Sequence, residues 1–434
     1  MIQSAWNTLQ AILPALPHRD QLTQERADAR AAEERGYYLP DEDERLRTVY
    51  ARYLKARTVL LEMINELKPR WQNEDLRLFA IAYAGAAILM RSAGHLVEMA
   101  RHRPVVHRKL DEAEVRFALP RKTFTRIYRN STSPATLWQF SQARRYYEKN
   151  RTLIHETLRA SGMAALVDTL IREAPFAGRR KRVLWRSLLD YRLYSLGRRG
   201  RSGYVKVMFH LFRMTGSAIA GKPNPFHRNK SDGKRVTVEV LRQATELLQP
   251  GDIIVTRHDN ALSNHFFPGY WPHAALYLGS PRERRRHQLP LDGPGDLTVL
   301  EAKKDGVKLR ALAETLAVDA FVILRPVPEK TCLSEVLTRA LTHEGKLYDF
   351  LFDFTKSDRL ACTEVIYRSF HGSRDWHFRL VKKSGRLTLP AEELMKQALE
   401  GGFAHVAALF GARGSPWLTG PEAREKLEET FVEQ

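Results

Sequence analysis

The hydrophobic periodicity of the chain changes between residues 214 and 252, and this change constrains the fold more than any other feature. Before it, apolar residues recur at helical spacing and β-type alternation is scarce. After it come short β-rich runs bounded by Gly, Pro and charged loops: DIIVTR (252–257), HAALYLG (273–279), TVLEA (298–302) and AFVILRP (320–326). The sequence therefore predicts an α+β protein, with a helical part followed by a small sheet packed on helices.

The first 213 residues predict an α-helical domain of the bundle type. The clearest helix runs over 41–68, where DEDE supplies negative charge at the amino end and Lys68-Pro69 closes the pattern. Further helices are predicted at 73–100, 136–150 and 151–174. The uncharged run from Leu78 to Met90 is thirteen residues long, against about 20 needed to cross a bilayer, so it predicts a buried helix of the bundle.

A Gly-, Pro-, Asn- and Ser-rich segment at 214–235 predicts a linker. The remaining chain divides into a second domain, 236–415, and a C-terminal tail, 416–434. Besides the four β-rich runs, the second domain predicts helices at 236–248, 333–344 and 390–400, and a short helix that begins near Cys362.

Positive charge is concentrated in the middle of the chain. Residues 101–250 hold 32 Lys+Arg against 11 Asp+Glu, whereas 1–100 and 251–434 are nearly balanced. The basic stretches 121–129, 178–186 and 197–214 interleave arginines with aromatic residues. Such a pattern suits an anionic membrane surface, or less favourably nucleic acid, and it is equally that of a solvated helix face.

Composition limits the compartment and the cofactors. Two cysteines without CxxC spacing form no disulfide framework and no structural zinc site. The amino terminus has no basic region before its apolar residues and breaks at Pro14 and Pro17, unlike a signal peptide. The sequence therefore predicts a cytoplasmic protein, peripheral on the inner face of the membrane if the basic region binds lipid, and no metal or cofactor.

Cys362 lies in the predicted first turn of the helix in DRLACTEVIYRSF (358–370). Unpaired backbone N–H groups and the helix dipole favour a thiolate there, and can lower a cysteine pKa from about 8.5 into the range of about 3.5–7.5. A buried, inert cysteine fits the same stretch. Cys332 has no histidine in a comparable segment and is expected to be an ordinary half-buried cysteine.

A nucleophilic cysteine needs a base, and the base needs a group that orients it. His273 opens one β-rich run, and Glu301 is a lone acid that ends the next apolar run. If the two strands are neighbours, Glu301 can hold the His273 ring while Cys362 faces its other nitrogen. Taken separately, His273 also fits a hydrogen-bonded rim residue and Glu301 a solvated strand end.

Together these segments resemble the YiiX/YebB-like hydrolases, a branch of the NlpC-type cysteine peptidase superfamily with a circularly permuted papain fold. The resemblance covers about 249–410 and rests on the following motifs: PGDIIVTR, PGYWPHAALYLG, VLEA with DGVKL, AFVILRP, GKLYDFLFDF and ACTEVIY. It implies the catalytic order His273, Glu301, Cys362. Thr363 stands where relatives often have serine, and nothing in the resemblance concerns 1–235.

The resemblance implies a thiol hydrolase or acyltransferase acting on an amide, ester or thioester bond through an acyl-enzyme, on a lipid-like or peptide substrate. The Cys362 backbone N–H is the expected oxyanion donor. The expected substrate contacts are Tyr270, Trp271, Tyr348 and Asp349. Tyr348 and Asp349 fit a structural turn-to-helix role at least as well. Glu364 is expected to support its helix. The alternative is a non-catalytic adaptor whose basic helices bind membrane or nucleic acid and whose hydrolase-like domain is degenerate.

Overall fold

The computed structural model describes residues 2–16, 19–67, 75–131, 133–175, 235–258, 269–289, 295–383 and 385–431. Within them the chain divides into two units. The first contains the described residues up to 113 and 117–175, and the second contains 114–116 and 235–431. The predicted linker at 214–235 lies almost wholly outside the described residues, as do the basic stretches 178–186 and 197–214, so these remain predictions.

Helices account for the described regular structure of the first unit. They are α1 (Ile2–Ile12), α2 (Thr23–Arg35), α3 (Pro40–Leu67), α4 (Leu76–Ala100), α5 (Pro104–Leu110), α6 (Thr123–Ser131), α7 (Pro134–Lys149), α8 (Arg151–Ala160) and α9 (164–175). Their apolar faces form one core. This arrangement fits the predicted helical domain. The predicted helix over 151–174 is two helices, because Gly162 adopts a φ of 72° between α8 and α9.

Helix α4 lies at the centre of this unit and packs against α1, α3, α5, α6, α7 and α8. By length and composition it is the one candidate membrane span among the described residues, but 67% of its most apolar window is buried within the protein. Its Arg91 is buried and pairs with Glu173 of α9 at 2.9 Å. Burial on nearly all sides and an internal ion pair favour the core helix of a bundle.

A seven-stranded antiparallel sheet forms the centre of the second unit, with strand order β11-β10-β5-β1-β2-β3-β4. Its strands are β1 (Ile253–Arg257), β2 (His273–Tyr277), β3 (Leu297–Lys303), β4 (Gly306–Ala311), β5 (Ala320–Pro326), β10 (Ala404–Phe410) and β11 (Leu418–Thr419). Short two-stranded pairs complete the strands: β6 (Leu347–Tyr348) with β7 (Arg359–Leu360), and β8 (Val381–Lys383) with β9 (Arg386–Thr388).

Both faces of this sheet are covered, as the alternation in β2 requires. Ala274 and Leu276 belong to the larger core, and Ala275 and Tyr277 to a smaller core on the other face. The β3–β4 turn depends on Gly306, whose φ is 100°. A Cβ atom there would lie 2.6 Å from the backbone oxygen of Lys346.

The helices of the second unit are α10 (Val238–Leu247), α11 (Pro281–Arg286), α12 (Leu312–Thr315), α13 (Leu333–Leu341), α14 (Cys362–Phe370), α15 (Ala391–Glu400) and α16 (Gly420–Glu429). Helix α14 packs against β2, β3 and α13. Helix α16, in the segment set apart as a tail, packs against β10 and β11 and contributes the fully buried Leu427 to the larger core.

Candidate active site

Cys362 is the first residue of α14, and only 3% of its surface is exposed. Two residues fix this helix start. The carboxyl group of Glu364 accepts a hydrogen bond from the backbone N–H of Ala361 and another, at 2.8 Å, from Nε of Arg368. Val365 and Ile366 are buried in the core behind them. The thiol therefore lies in the first turn of a firmly packed helix, where backbone N–H groups have no intrahelical acceptor.

His273 begins β2, and Glu301 lies in the neighbouring strand β3. The Nε2–H of His273 donates to Oε1 of Glu301 at 2.7 Å. The pairing of Leu276 with Leu300 sets the register that brings the two side chains together. The carboxylate is 1% exposed and the imidazole 22% exposed, so the histidine keeps access to the surface while its partner is buried.

Three further groups surround the second carboxylate oxygen of Glu301. Lys303 Nζ lies 2.8 Å from Oε2, Arg310 Nε lies 3.3 Å away, and Thr315 Oγ1 donates at 3.3 Å. Burial raises the pKa of Glu301, but the hydrogen bond and charge of His273, with Lys303, outweigh it and lower this pKa to about 2. Glu301 is therefore a carboxylate throughout the neutral range.

Charge and hydrogen bonding couple Cys362 to His273. Burial raises the pKa of the Cys362 thiol, but the His273 imidazolium, with the backbone N–H groups of Ala274 and Thr363, lowers it below its usual value. Burial lowers the pKa of His273, whereas the Cys362 thiolate and then Glu301 raise it to about 10. Both directions favour a thiolate–imidazolium pair at neutral pH.

Tyr348 lies near the thiol. Burial raises the pKa of its phenol first, and the negative charge of the Cys362 thiolate and of Asp349 raises it further. The phenol is therefore a neutral hydrogen-bond donor at neutral pH. Its ring packs edge-on against Phe350 at a centroid distance of 4.9 Å.

The other expected substrate contacts lie in different surroundings. Asp349 is buried and accepts from the backbone N–H groups of Leu351 and Asp353, at 3.0 and 2.7 Å, which shapes the loop after β6. Trp271 is 1% exposed, and its indole N–H donates to Thr430 of the C-terminal segment. Tyr270 stays half-buried under Arg257, whose guanidinium lies 4.1 Å from the ring centre. Their substrate contacts remain predictions.

The remaining polar residues of this region have structural surroundings. Glu364 is fully buried, and burial raises its pKa to about 8 against the opposing charge of Arg368. Cys332 is half-buried and precedes α13, and its Sγ lies 3.8 Å from Oγ of Ser334. No group of three or more His, Cys, Asp or Glu among the described residues has the geometry of a metal site.

Sequence reasoning missed the surroundings of Glu301. Lys303 lies two residues further along β3, on the same side of the strand, and that spacing was a usable signal. Arg310 and Thr315 come from β4 and α12. Their approach depends on the β3–β4 register, in which Glu301 faces Lys308, and no local pattern reveals it.

Residues 247–408 match the model of a known family, described as permuted papain-like amidase enzyme, YaeF/YiiX, C92 family. The match confirms the predicted resemblance, and the positions of Cys362, His273 and Glu301 fall within the matched range. It supports a permuted papain-like domain with hydrolase activity of the cysteine type. The helical unit lies outside the match. No curated protein and no solved structure matches the chain.

Proposed function

We propose that the domain matched by the permuted papain-like amidase family is a cysteine hydrolase with Cys362 as nucleophile, His273 as general base and Glu301 as the group that orients the histidine. The observation that carries this proposal is the 2.7 Å hydrogen bond between His273 Nε2 and Glu301 Oε1. It fixes the tautomer and leaves Nδ1 as the ring nitrogen available to the thiol.

The reaction begins from the ion pair in which the proton of Cys362 Sγ already resides on His273. The thiolate attacks the substrate carbonyl carbon, a C–S bond forms, and the carbonyl electron pair moves to oxygen. As the tetrahedral intermediate collapses, the C–N, C–O or C–S bond to the leaving group breaks and His273 donates its proton to that group. Water deprotonated by His273 then attacks the carbonyl carbon of the acyl-enzyme, the C–S bond breaks, and the acid is released while Cys362 leaves as the thiolate beside protonated His273. An acyl acceptor in place of water gives acyl transfer.

Two donors are assigned to the developing oxyanion. The backbone N–H of Cys362 is in the first turn of α14 and has no acceptor within that helix. The neutral phenol of Tyr348 lies near enough for its pKa to respond to the thiolate charge. Removal of one such donor from an acyl-transfer enzyme costs about 10²–10³ in rate.

The substrate class that this chemistry accepts is an amide, ester or thioester, and the family description favours the amide. Lipid-like acyl groups and peptides both remain within that class. The domain need not distinguish hydrolysis from transfer until deacylation, because the acyl-enzyme is common to both.

An activated ester tests the nucleophile without knowledge of the natural substrate. With p-nitrophenyl butyrate, the full chain should release a burst of p-nitrophenol and gain the mass of one butyryl group. The Cys332→Ala variant should keep both signals, and Cys362→Ala should lose both. Equal signals from the wild type and Cys362→Ala would instead support the non-catalytic adaptor.

We further propose that the helical unit holds the enzyme on an anionic membrane surface, which corresponds to the inner face of a cytoplasmic membrane. The supporting observation is α7, which buries Tyr147 but leaves Trp138 64% and Tyr146 43% exposed. Arg145 and Lys149 are exposed on the same helix. Exposed aromatic residues beside cations suit the headgroup region of an anionic bilayer.

Vesicle flotation tests the surface proposal. Binding to phosphatidylserine vesicles should fall as salt rises, and it should weaken in Trp138→Ser. Val238→Ser is the matched control, because Val238 is 86% exposed in the other unit, and it should bind like the wild type. Vesicle binding that does not change with salt or in Trp138→Ser would contradict the membrane proposal. The remaining interpretations would be nucleic-acid binding or a solvated helix face.

A further inference from the structure

A cleft in the helical unit is lined by three arginines from two elements. Arg26 and Arg30 come from α2, and Arg103 precedes α5. His95 and Glu98 of α4 complete the polar lining, beside the apolar Leu22 and Met99. Three guanidinium groups thus share the cleft with a single carboxylate.

The two arginines of α2 lie four residues apart, so they occupy the same side of the helix. Like charges at this spacing repel and destabilise a helix unless something neutralises them. Among the described residues, neither Arg26 nor Arg30 has a hydrogen-bond or ion-pair partner. Glu33, one turn further along α2, is engaged elsewhere, because its carboxylate accepts the backbone N–H of Val105 at 2.9 Å.

Arg103 is held in place by the end of α4. Its Nη1 donates to the backbone oxygen of Met99 at 2.9 Å and approaches that of Glu98 at 3.4 Å. These are carbonyl groups of the last helical turn, which lack intrahelical donors. One edge of the Arg103 guanidinium is therefore fixed, and its other N–H groups can donate hydrogen bonds to a ligand in the cleft.

Buried surface backs the cleft and shields part of it from water. His95 is 5% and Met99 3% exposed. Charge-assisted hydrogen bonds strengthen where water is partly excluded. Planar guanidinium forks on two sides of a concave site fit the oxygens of a tetrahedral oxyanion better than a single carboxylate, because such an oxyanion offers an acceptor to each.

We propose that this cleft binds a phosphate group, either free inorganic phosphate or the phosphomonoester of a lipid headgroup. The cleft shares no residue with the exposed face of α7 or with the catalytic set, so this proposal can be tested independently of both proposals above. Composition does not reveal it, because residues 1–100 hold 13 basic and 14 acidic residues.

Titration of the full chain with inorganic phosphate at constant ionic strength tests this assignment, with phosphorus NMR or calorimetry as the readout. Arg30→Gln removes an exposed arginine and should keep the fold, which circular dichroism verifies. Affinity should fall at least about tenfold in Arg30→Gln, since a hydrogen bond to a charged group is lost. Arg26→Gln should behave likewise, and the exposed Arg52→Gln of α3 should match the wild type.

A second arm separates the two sources of phosphate. Vesicles with phosphatidate are compared with vesicles of equal charge made with phosphatidylserine. Phosphate binding that requires Arg30 supports the free ion. Binding only to phosphatidate vesicles, again dependent on Arg30, supports the lipid headgroup. The proposal is overturned if Arg30→Gln and the wild type behave alike in both arms, or if Arg52→Gln loses as much as Arg30→Gln.

Discussion

His273 and Glu301 meet across two neighbouring strands, with 2.7 Å between Nε2 and Oε1. The contact is built into the sheet, since β2 and β3 pair through Leu276 and Leu300. Lys303 and Arg310 then hold the other carboxylate oxygen. His273 is therefore oriented by a residue whose own position and charge are fixed by the same hairpin.

Lowering the pH should reduce the free energy of unfolding, because Glu301 becomes protonated. Its folded pKa is about 2, below the ordinary 4.5, so its stabilising contribution is present above about pH 4.5 and is lost as pH falls toward 2. The full contribution amounts to about 3 kcal/mol. Chemical denaturation at several pH values should show the wild-type advantage over Glu301→Gln shrinking across this window.

An exposed acid of the same unit provides the comparison for this acid effect. Glu422 lies on the surface of α16, and Glu422→Gln should track the wild type at every pH. The free energies of unfolding of Glu301→Gln and the wild type could instead run parallel from pH 6 to pH 3. That result would mean that the surrounding cations do not lower the pKa of Glu301.

Tyr348→Phe should slow turnover of the ester probe without altering the thiol. Loss of one oxyanion donor predicts a fall of about 10²–10³ in kcat, while the rate of Cys362 alkylation stays within about twofold. Tyr277→Phe, in β2 but in the smaller core, is the control and should keep both rates. A parallel loss of alkylation and turnover would assign Tyr348 to thiol activation instead.

The buried pair of Arg91 and Glu173 should tolerate joint replacement better than single replacement. Both side chains are almost inaccessible, at 0% and 2% exposure. Arg91→Met removes the cation that pairs with a buried carboxylate and should cost about 3–5 kcal/mol, whereas Arg91→Met with Glu173→Leu should recover much of that loss. Denaturation followed by far-ultraviolet circular dichroism measures the cycle. Additive losses would show that the two residues do not depend on each other.

The C-terminal helix should contribute to the stability of the second unit. Leu427 is fully buried, and Leu427→Ala should cost about 2–5 kcal/mol through lost contacts and a residual cavity. Glu425→Ala, at an exposed position of α16, should change the free energy of unfolding by less than about 0.5 kcal/mol. If both variants changed the free energy of unfolding by equally small amounts, the C-terminal segment would be a tail that does not contribute to stability.

Local hydrophobic patterns in the sequence predict much of the fold. The predicted strand at 320–326 coincides with β5, and the helix predicted over 41–68 differs from α3 by one residue at each end. Long periodic segments with clear termini carry that information. The break at Gly162 was missed, because a helical pattern continues across it and only a positive φ interrupts the chain.

The pairing of strands that are distant in sequence is harder to predict. Residues 404–410 form β10 beside β5, yet their Ala-rich sequence suits a helix as well as a strand. At the site, the order His273, Glu301, Cys362 followed from the family resemblance. The cations around Glu301 depend on hairpin register, and the indole N–H of Trp271 donates to Thr430, 159 residues away along the chain.

The pH dependence of Cys362 alkylation tests the central claim most directly. In a Cys332→Ala background, iodoacetamide should label Cys362 rapidly well below pH 8.5, the ordinary thiol pKa, because His273 lowers the pKa of Cys362. His273→Ala should move the midpoint upward by more than one pH unit. Identical alkylation profiles for the His273→Ala variant and its parent would contradict a thiolate–imidazolium pair.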